Sequence, residues 1–203
     1  DGFLREASGY PFYNTSKFTF ETLKADPENI EDNFRDYING FSDNVQDILA
    51  RMKFADQIER LSDPDAPLLY QIICDFCKPQ ADMSPDKIRA VDMGYIFENL
   101  IQRFSESYDE DAGAHFTSRD IVYLMTDLLI QADPHVFDGD RITKTVYDQT
   151  MGTSQMLGCT EERLRQLDAD ARVTCYGQEF NPFTFGIAKA SALIRGEDDA
   201  NMR

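Results

Sequence analysis

The stretch VYDQTMGTSQML, Val146 to Leu157, decides the fold of the second half of the chain. Thr145 to Asp148 reads as a short strand, a glycine follows at 152, and small hydroxylated residues open what reads as a helix. A strand, a tight glycine turn and a helix N-terminus begin a nucleotide-type cofactor loop, because backbone amides converge there on anionic groups. Two places where glycine is expected carry Ser154 and Gln155 instead. The stretch is therefore a cofactor loop, an altered one, or an unliganded strand-to-helix turn.

Downstream, the period keeps changing in the same way. Thr153 to about Leu167 reads as a helix, VTCYGQE (Val173–Glu179) as a second strand, and Phe183–Arg195 as a second helix. Strand, helix, strand, helix at this spacing predicts a parallel α/β sheet. In such a sheet an acidic residue ending the second strand meets ribose hydroxyls, and Glu179 stands at that place. Two parallel strands leave edges unpaired and a face uncovered. A third strand is due at Asp198–Arg203, so the residues read as the front part of a longer protein.

Upstream, Phe18 to about Tyr108 reads as successive helices. Asp26-Pro27 is a helix-start signal, and Ile30, Phe34, Tyr37, Ile38 and Phe41 follow as an apolar stripe ended by Asn39-Gly40. Ser42 caps a next helix with Val45, Ile48, Leu49 and Met52 inward, and Asp63-Pro64 and Ser84-Pro85 repeat the start signal. The run from Met93 places Ile96, Phe97, Leu100, Ile101 and Phe104 inward. The acidic, glycine-containing DEDAGAH (Asp109–His115) is the expected seam, after which Thr117 or Ser118 caps a helix through IVYLMTDLLI.

Composition excludes several classes. The 203 residues include 20 basic against 37 acidic side chains, a net charge of −17, so the chain by itself should repel DNA. No apolar run approaches the roughly 20 residues that cross a bilayer, and the start is no signal peptide. Four cysteines are too few for a disulfide scaffold, which points to a reducing, cytoplasmic setting. Cys74 and Cys77 form a CxxC on an apolar run without a second pair, so they read as core and no metal is expected. With His115 and His135 alone, a histidine-based nucleophile site has little support. NPFTF (Asn181–Phe185) is similar to an adenine-gripping Asn-Pro-Pro-aromatic loop, but it has one proline and reads instead as a helix start capped by Asn181.

Taken together, these residues resemble the modification (M) subunit of type I restriction-modification systems, an N6-adenine DNA methyltransferase. YPFYNTSKFTF, DNFRDYINGFSDNVQDIL and MGYIFENLIQRFSE resemble its helical N-terminal domain. AGAHFTSRDIVYLMTDLL is similar to its Phe-Thr-Pro-Arg segment, VYDQTMGTSQML to its Asp-Pro-x-x-Gly-Thr-Gly-Gly loop, and YGQEFNPFTFGIAKASALIRGED to its second-strand signature. The resemblance implies an all-α domain over residues 1–110, then the first part of an α/β Rossmann-like methyltransferase domain over 111–203.

It also implies S-adenosylmethionine as cofactor. Ala114, His115, Phe116, Thr117, Ser118 and Arg119 are expected beside its methionine end, with Asp148, Gly152, Thr153, Ser154 and Gln155 forming the loop beneath and Glu179 on the ribose. Ser118 and Gln149 replace family prolines, and Ser154 and Gln155 replace glycines. A residue other than glycine in a left-handed position costs about 1–2 kcal/mol, so the loop is expected either to change conformation or to bind cofactor weakly. The implied partners are a specificity subunit, a second M subunit and, optionally, a restriction subunit, with DNA reached through the complex and no membrane. The chain alone is expected to be inactive, since it has no Asn-Pro-Pro-aromatic loop. A non-catalytic interaction module and an acidic DNA mimic are the alternatives.

Overall fold

Helices α1 (Gly2–Ser8), α2 (Phe20–Lys24), α3 (Ile30–Asn39), α4 (Asp43–Arg51), α5 (Phe54–Leu61) and α6 (Leu69–Phe76) come first along the chain. Then follow α7 (Ala90–Ser107), α8 (Arg119–Ala132), β1 (Thr143–Asp148), α9 (Gln155–Leu167), β2 (Arg172–Gly177) and α10 (Pro182–Arg195). This computed structural model describes residues 2–65, 67–107, 117–133, 135–138, 143–196 and 200–203, with backbone alone at 90, 91 and 104–107. The expected seam at 109–115 lies outside the described residues. By contacts the chain divides into Asp1–Met93 with Leu193–Gly196, and Gly94–Ala192 with Glu197–Arg203.

The first unit buries Leu23, Phe34, Ile58, Leu69 and Ile73, ringed by Phe18, Phe20, Ile30, Tyr37, Ile38, Phe54 and Leu61. Within α3, α5 and α6 these residues recur at helical spacing, so those helices and α2 turn apolar stripes into a shared core. Each fully buried aliphatic side chain contributes about 1.5–3 kcal/mol. Thr19 caps α2 reciprocally, accepting from the Thr22 amide while the Thr22 hydroxyl accepts from the Thr19 amide. Gly40 follows α3 with φ −73°, so its role is not a left-handed stop. A Cβ there would stand 2.6 Å from the Ser16 amide nitrogen, where the Tyr13–Thr15 segment pairs with Gly40 and Ser42.

Several start signals behave differently from expectation. Asp26-Pro27 opens a 3-10 turn, Pro27–Asn29, before α3, and the Asp26 carboxylate accepts from the Asn29 and Asn33 side chains rather than capping. Asp63-Pro64 makes a turn in which Asp63 accepts from the Asp65 amide at 2.9 Å, and Ser84-Pro85 opens another turn; neither starts a helix. An Asp or Ser before proline satisfies a turn as well as a helix, and the absence of a following apolar period leaves the turn. On α7, Ile96 and Leu100 are exposed rather than inward, while Phe97 and Ile101 are half-buried.

In the second unit β1 and β2 pair in parallel, with Val146 opposite Cys175 and Asp148 opposite Gly177. Residues 201–203 run along the other edge of β2, through a parallel bridge from Met202 to Gly177. The Arg203 amide donates to the Gly177 carbonyl at 2.9 Å and the Glu179 amide to the Arg203 carbonyl at 2.9 Å. Met151, Leu157, Phe185, Ala188, Ala192 and Met202 form the core against Val146 and Cys175. Gly177 lacks a side chain because Met151 and Leu157 fill the space where one would stand. Helix α8 packs on α9 through a Thr126–Thr160 hydroxyl pair at 3.1 Å and an Arg163–Asp127 ion pair at 2.8 Å.

Candidate cofactor site

The carboxyl ends of β1 and β2 meet in one place, where parallel sheets bind ligands. Two backbone bonds clip the segment after β1 to the segment after β2. The Gln178 amide donates to the Asp148 carbonyl, and the Met151 amide donates to the Gln178 carbonyl, both at 2.9 Å. Asp148 turns its carboxylate to its own turn, accepting from the Thr150 amide at 2.9 Å. Gly152 then takes a left-handed conformation, φ +56°, and a Cβ there would meet nothing within 4 Å. Its free side is open space.

Glu179 ties this turn to β2. Its Oε2 accepts from the Gly152 amide at 3.1 Å and its Oε1 from the Asn181 amide at 2.7 Å. Each carboxylate oxygen keeps lone-pair capacity for a further donor. Asn181 caps α10, its side chain accepting from the Phe183 amide at 2.9 Å and the Thr184 amide at 3.2 Å, and Pro182 opens the helix. The helix-start reading of NPFTF is therefore the one the structure shows. Between Glu179 and Asn181, Phe180 stands fully exposed.

Ser154 keeps the backbone that glycine would supply. Its φ and ψ are +64° and +14°, it is fully buried, and its hydroxyl has no hydrogen-bond partner. The substitution thus leaves the left-handed turn in place with its strain. Gln155, the first residue of α9, is buried, and its Nε2 donates to Glu98 Oε1 at 3.0 Å. Thr153 is half-buried between them and Gly152.

Arg119 begins α8 after Ser118, whose carbonyl accepts from the Ile121 amide at 3.0 Å. No side-chain capping bond forms at Ser118, and Thr117 precedes it half-buried. The Arg119 guanidinium bonds Glu98 on α7, Glu162 on α9 and the Tyr123 hydroxyl at 2.9 Å, and it lies 4.7 Å from the Tyr95 ring centroid. Burial opposes its charge, but Glu98, Tyr123 and Glu162 outweigh that and raise its pKa above the ordinary arginine value. Glu162 is opposed likewise by burial, and the Arg119 bond lowers its pKa overall. Arg119 is thus committed to a clasp of three helices. Ala114, His115 and Phe116 lie outside the described residues.

Of the expected site residues, Asp148, Gly152, Thr153, Ser154, Gln155 and Glu179 gather at the two strand ends. Arg119 joins them only indirectly, through Glu98. Glu98, Glu162 and Phe180 were not anticipated from sequence. The two acids stand 21 and 43 positions from Arg119, so no local spacing exposes the cluster. Phe180 had a signal, its place directly after the acid just past the second strand.

A family model described as N-6 DNA Methylase matches residues 89–203, more than half of the chain. The chain belongs to the N-6 DNA methylase family. The methylase subunit of the type I restriction enzyme HindI from Haemophilus influenzae is 30% identical over 125 residues, which are 61% of this chain and 26% of that protein. A solved structure of a type I restriction-modification methyltransferase subunit from Streptococcus thermophilus superposes with a TM-score of 0.59 at 20% identity. It covers 90% of this chain, which spans 38% of that one. The chain thus spans well under half the length of these relatives, and the likeness to the solved structure concerns the fold.

The nucleoside half of S-adenosylmethionine fits the residues present. The space over Gly152 and the Glu179 carboxylate beside it offer a hydroxyl acceptor, and Phe180, the residue after Glu179, carries a fully exposed ring. Among the described residues, no group of three His, Cys, Asp or Glu side chains could hold a metal ion. Among them, too, no helix is long and apolar enough to cross a membrane.

Proposed function

We propose that this chain is the helical N-terminal domain, residues 1–110, and the first part of the methyltransferase domain, residues 111–203, of a cytoplasmic type I M subunit. The parent protein transfers a methyl group from S-adenosylmethionine to adenine N6 in DNA. It does so with a specificity subunit, a second M subunit and, optionally, a restriction subunit. S-adenosylmethionine supplies an electrophilic methyl carried on a sulfonium. Glu179 would accept from the ribose hydroxyls, the exposed Phe180 ring would offer a face to the base, and Gly152 would let the backbone approach. Asp148, Thr153, Ser154 and Gln155 shape the loop, and residues 114–119 border the methionine end.

One observation carries this reading: an open left-handed glycine whose amide is held by Glu179, the acid just past the second strand, 3.1 Å away. The net charge of −17 agrees with leaving sequence recognition to another subunit. The test is an NMR titration of the chain with S-adenosylmethionine. Weak binding should shift the amides of 148–155 and 177–181, and Glu179→Ala should abolish those shifts. Shifts confined to other residues, or none at millimolar cofactor, would sink the proposal.

A second reading, a non-catalytic interaction module, is favoured by α8. Ile121, Leu124, Met125, Leu128 and Leu129 are all exposed there, a contiguous apolar face of the kind that marks protein contacts. The same titration separates the two readings, since a module needs no cofactor.

A further inference from the structure

Gln155 stands where the family loop has a glycine, yet its side chain is not in the open space over Gly152. It is buried, and its amide nitrogen is committed to Glu98 Oε1 at 3.0 Å. The same oxygen faces Arg119 Nε at 3.4 Å, and the other Glu98 oxygen accepts from Arg119 Nη2 at 2.5 Å. Arg119 also binds Glu162, which in turn accepts from the Tyr95 hydroxyl at 3.0 Å and from Gln166 at 3.2 Å. One positive charge therefore serves two partly buried carboxylates, and Glu98 draws a second donor from the cofactor loop itself. Hydrogen bonds to a charged carboxylate are the stronger kind.

We infer that Gln155 is a positioning residue: through Glu98 it fastens the strained Ser154 turn, and so the start of α9, to the Arg119 clasp on α7 and α8. A glycine pair would leave this turn free to sample other conformations. Here Ser154 is held left-handed because the next residue is tied down from behind. The substituted loop is an anchored version of the family loop, with rigidity in place of glycine's freedom. The bearing of this anchor on cofactor binding rests on the reading proposed above.

The test is amide hydrogen exchange of the whole chain without cofactor, read at Gly158, whose amide donates to the Ser154 carbonyl at 3.1 Å. Gln155→Ala should speed exchange there about tenfold, the loss expected for a bond to a charged group. Gln155→Glu should do at least as much, because it sets two carboxylates face to face. Glu98→Gln should also speed exchange, because it weakens the hold of Arg119. The double variant Glu98→Gln/Gln155→Glu returns one carboxylate and one amide to the pair in exchanged places. It should exchange more slowly than Gln155→Glu alone, although the Arg119–Glu98 ion pair is not restored, a partial rescue that side-chain packing alone does not produce. Unchanged exchange in the single variants, or single effects that simply add in the double variant, would overturn the inference. Because no cofactor is present, a failed cofactor titration would overturn the functional reading and not this one.

Discussion

Replacing Ser154 measures what a glycine would be worth at this left-handed position. The residue is fully buried at φ +64°, with a hydroxyl that has no partner. Ser154→Gly relieves left-handed strain of about 1–2 kcal/mol. It adds about 0.5–1 kcal/mol of chain entropy to the folding cost and removes roughly one buried methylene, about 0.8 kcal/mol. Those contributions nearly cancel. The unpaired hydroxyl decides the sign, because leaving such a group buried costs about 1–3 kcal/mol. The net expectation is a gain of about 1–2 kcal/mol, or about 2–8 °C in the calorimetric midpoint of a chain of this size. Ser154→Ala keeps the strain and removes the hydroxyl, so it too should raise the midpoint and isolates the hydroxyl's share. If both variants lower the midpoint, the hydroxyl has a partner in solution or the turn is not left-handed. The reasoning then fails.

The Arg119 clasp predicts a pH dependence. The folded pKa of Glu162 is lowered, so its stabilisation is fully present above the ordinary glutamate value and is lost as pH falls through the lowered one. An acid titration of the unfolding midpoint should flatten over that range in Glu162→Gln; an unchanged profile would remove Glu162 from the account. Gly40→Ala should destabilise the first unit by about 1–3 kcal/mol, since a methyl there meets the Ser16 backbone. Urea denaturation checks this, and a stabilised variant would contradict the close approach. Ile73→Ala, at a residue only 1% exposed, should cost about 2–5 kcal/mol in the same assay. Phe180→Ala should leave stability nearly unchanged, because its ring is fully exposed, while weakening cofactor-induced shifts in the titration. Loss of stability would make Phe180 a structural residue.

Much of the fold was legible because it is written in local period and punctuation. The first strand, which begins at Thr143 rather than Thr145, the helix after it, the second strand, which ends at Gly177 rather than Glu179, the Asn181-Pro182 helix start and the parallel pairing all follow from short-range pattern. Glu179 was legible for the same reason, although it stands two residues past the end of β2 rather than in it. Start signals were less dependable: Asp63-Pro64 and Ser84-Pro85 satisfy turns, since the chemistry of an Asx or Ser turn is the same whether or not a helix follows. The apolar period of α7 was legible, but which of its faces is covered was not, and Ile96 and Leu100 remain exposed.

By itself, then, the sequence determined the strand–helix–strand–helix order of the second half and the residues that meet at the two strand ends, because hydrophobic period and backbone preference act over a few residues. Only the tertiary structure decided what the substituted positions do. That Ser154 keeps glycine's backbone, that Gln155 turns to Glu98, and that Arg119 is spent on Glu98 and Glu162 are matters of where distant side chains arrive. Partners 57 positions apart, such as Gln155 and Glu98, leave no period to read. Their pairing follows from burial, which forces a polar group to find whichever partner packing brings within reach.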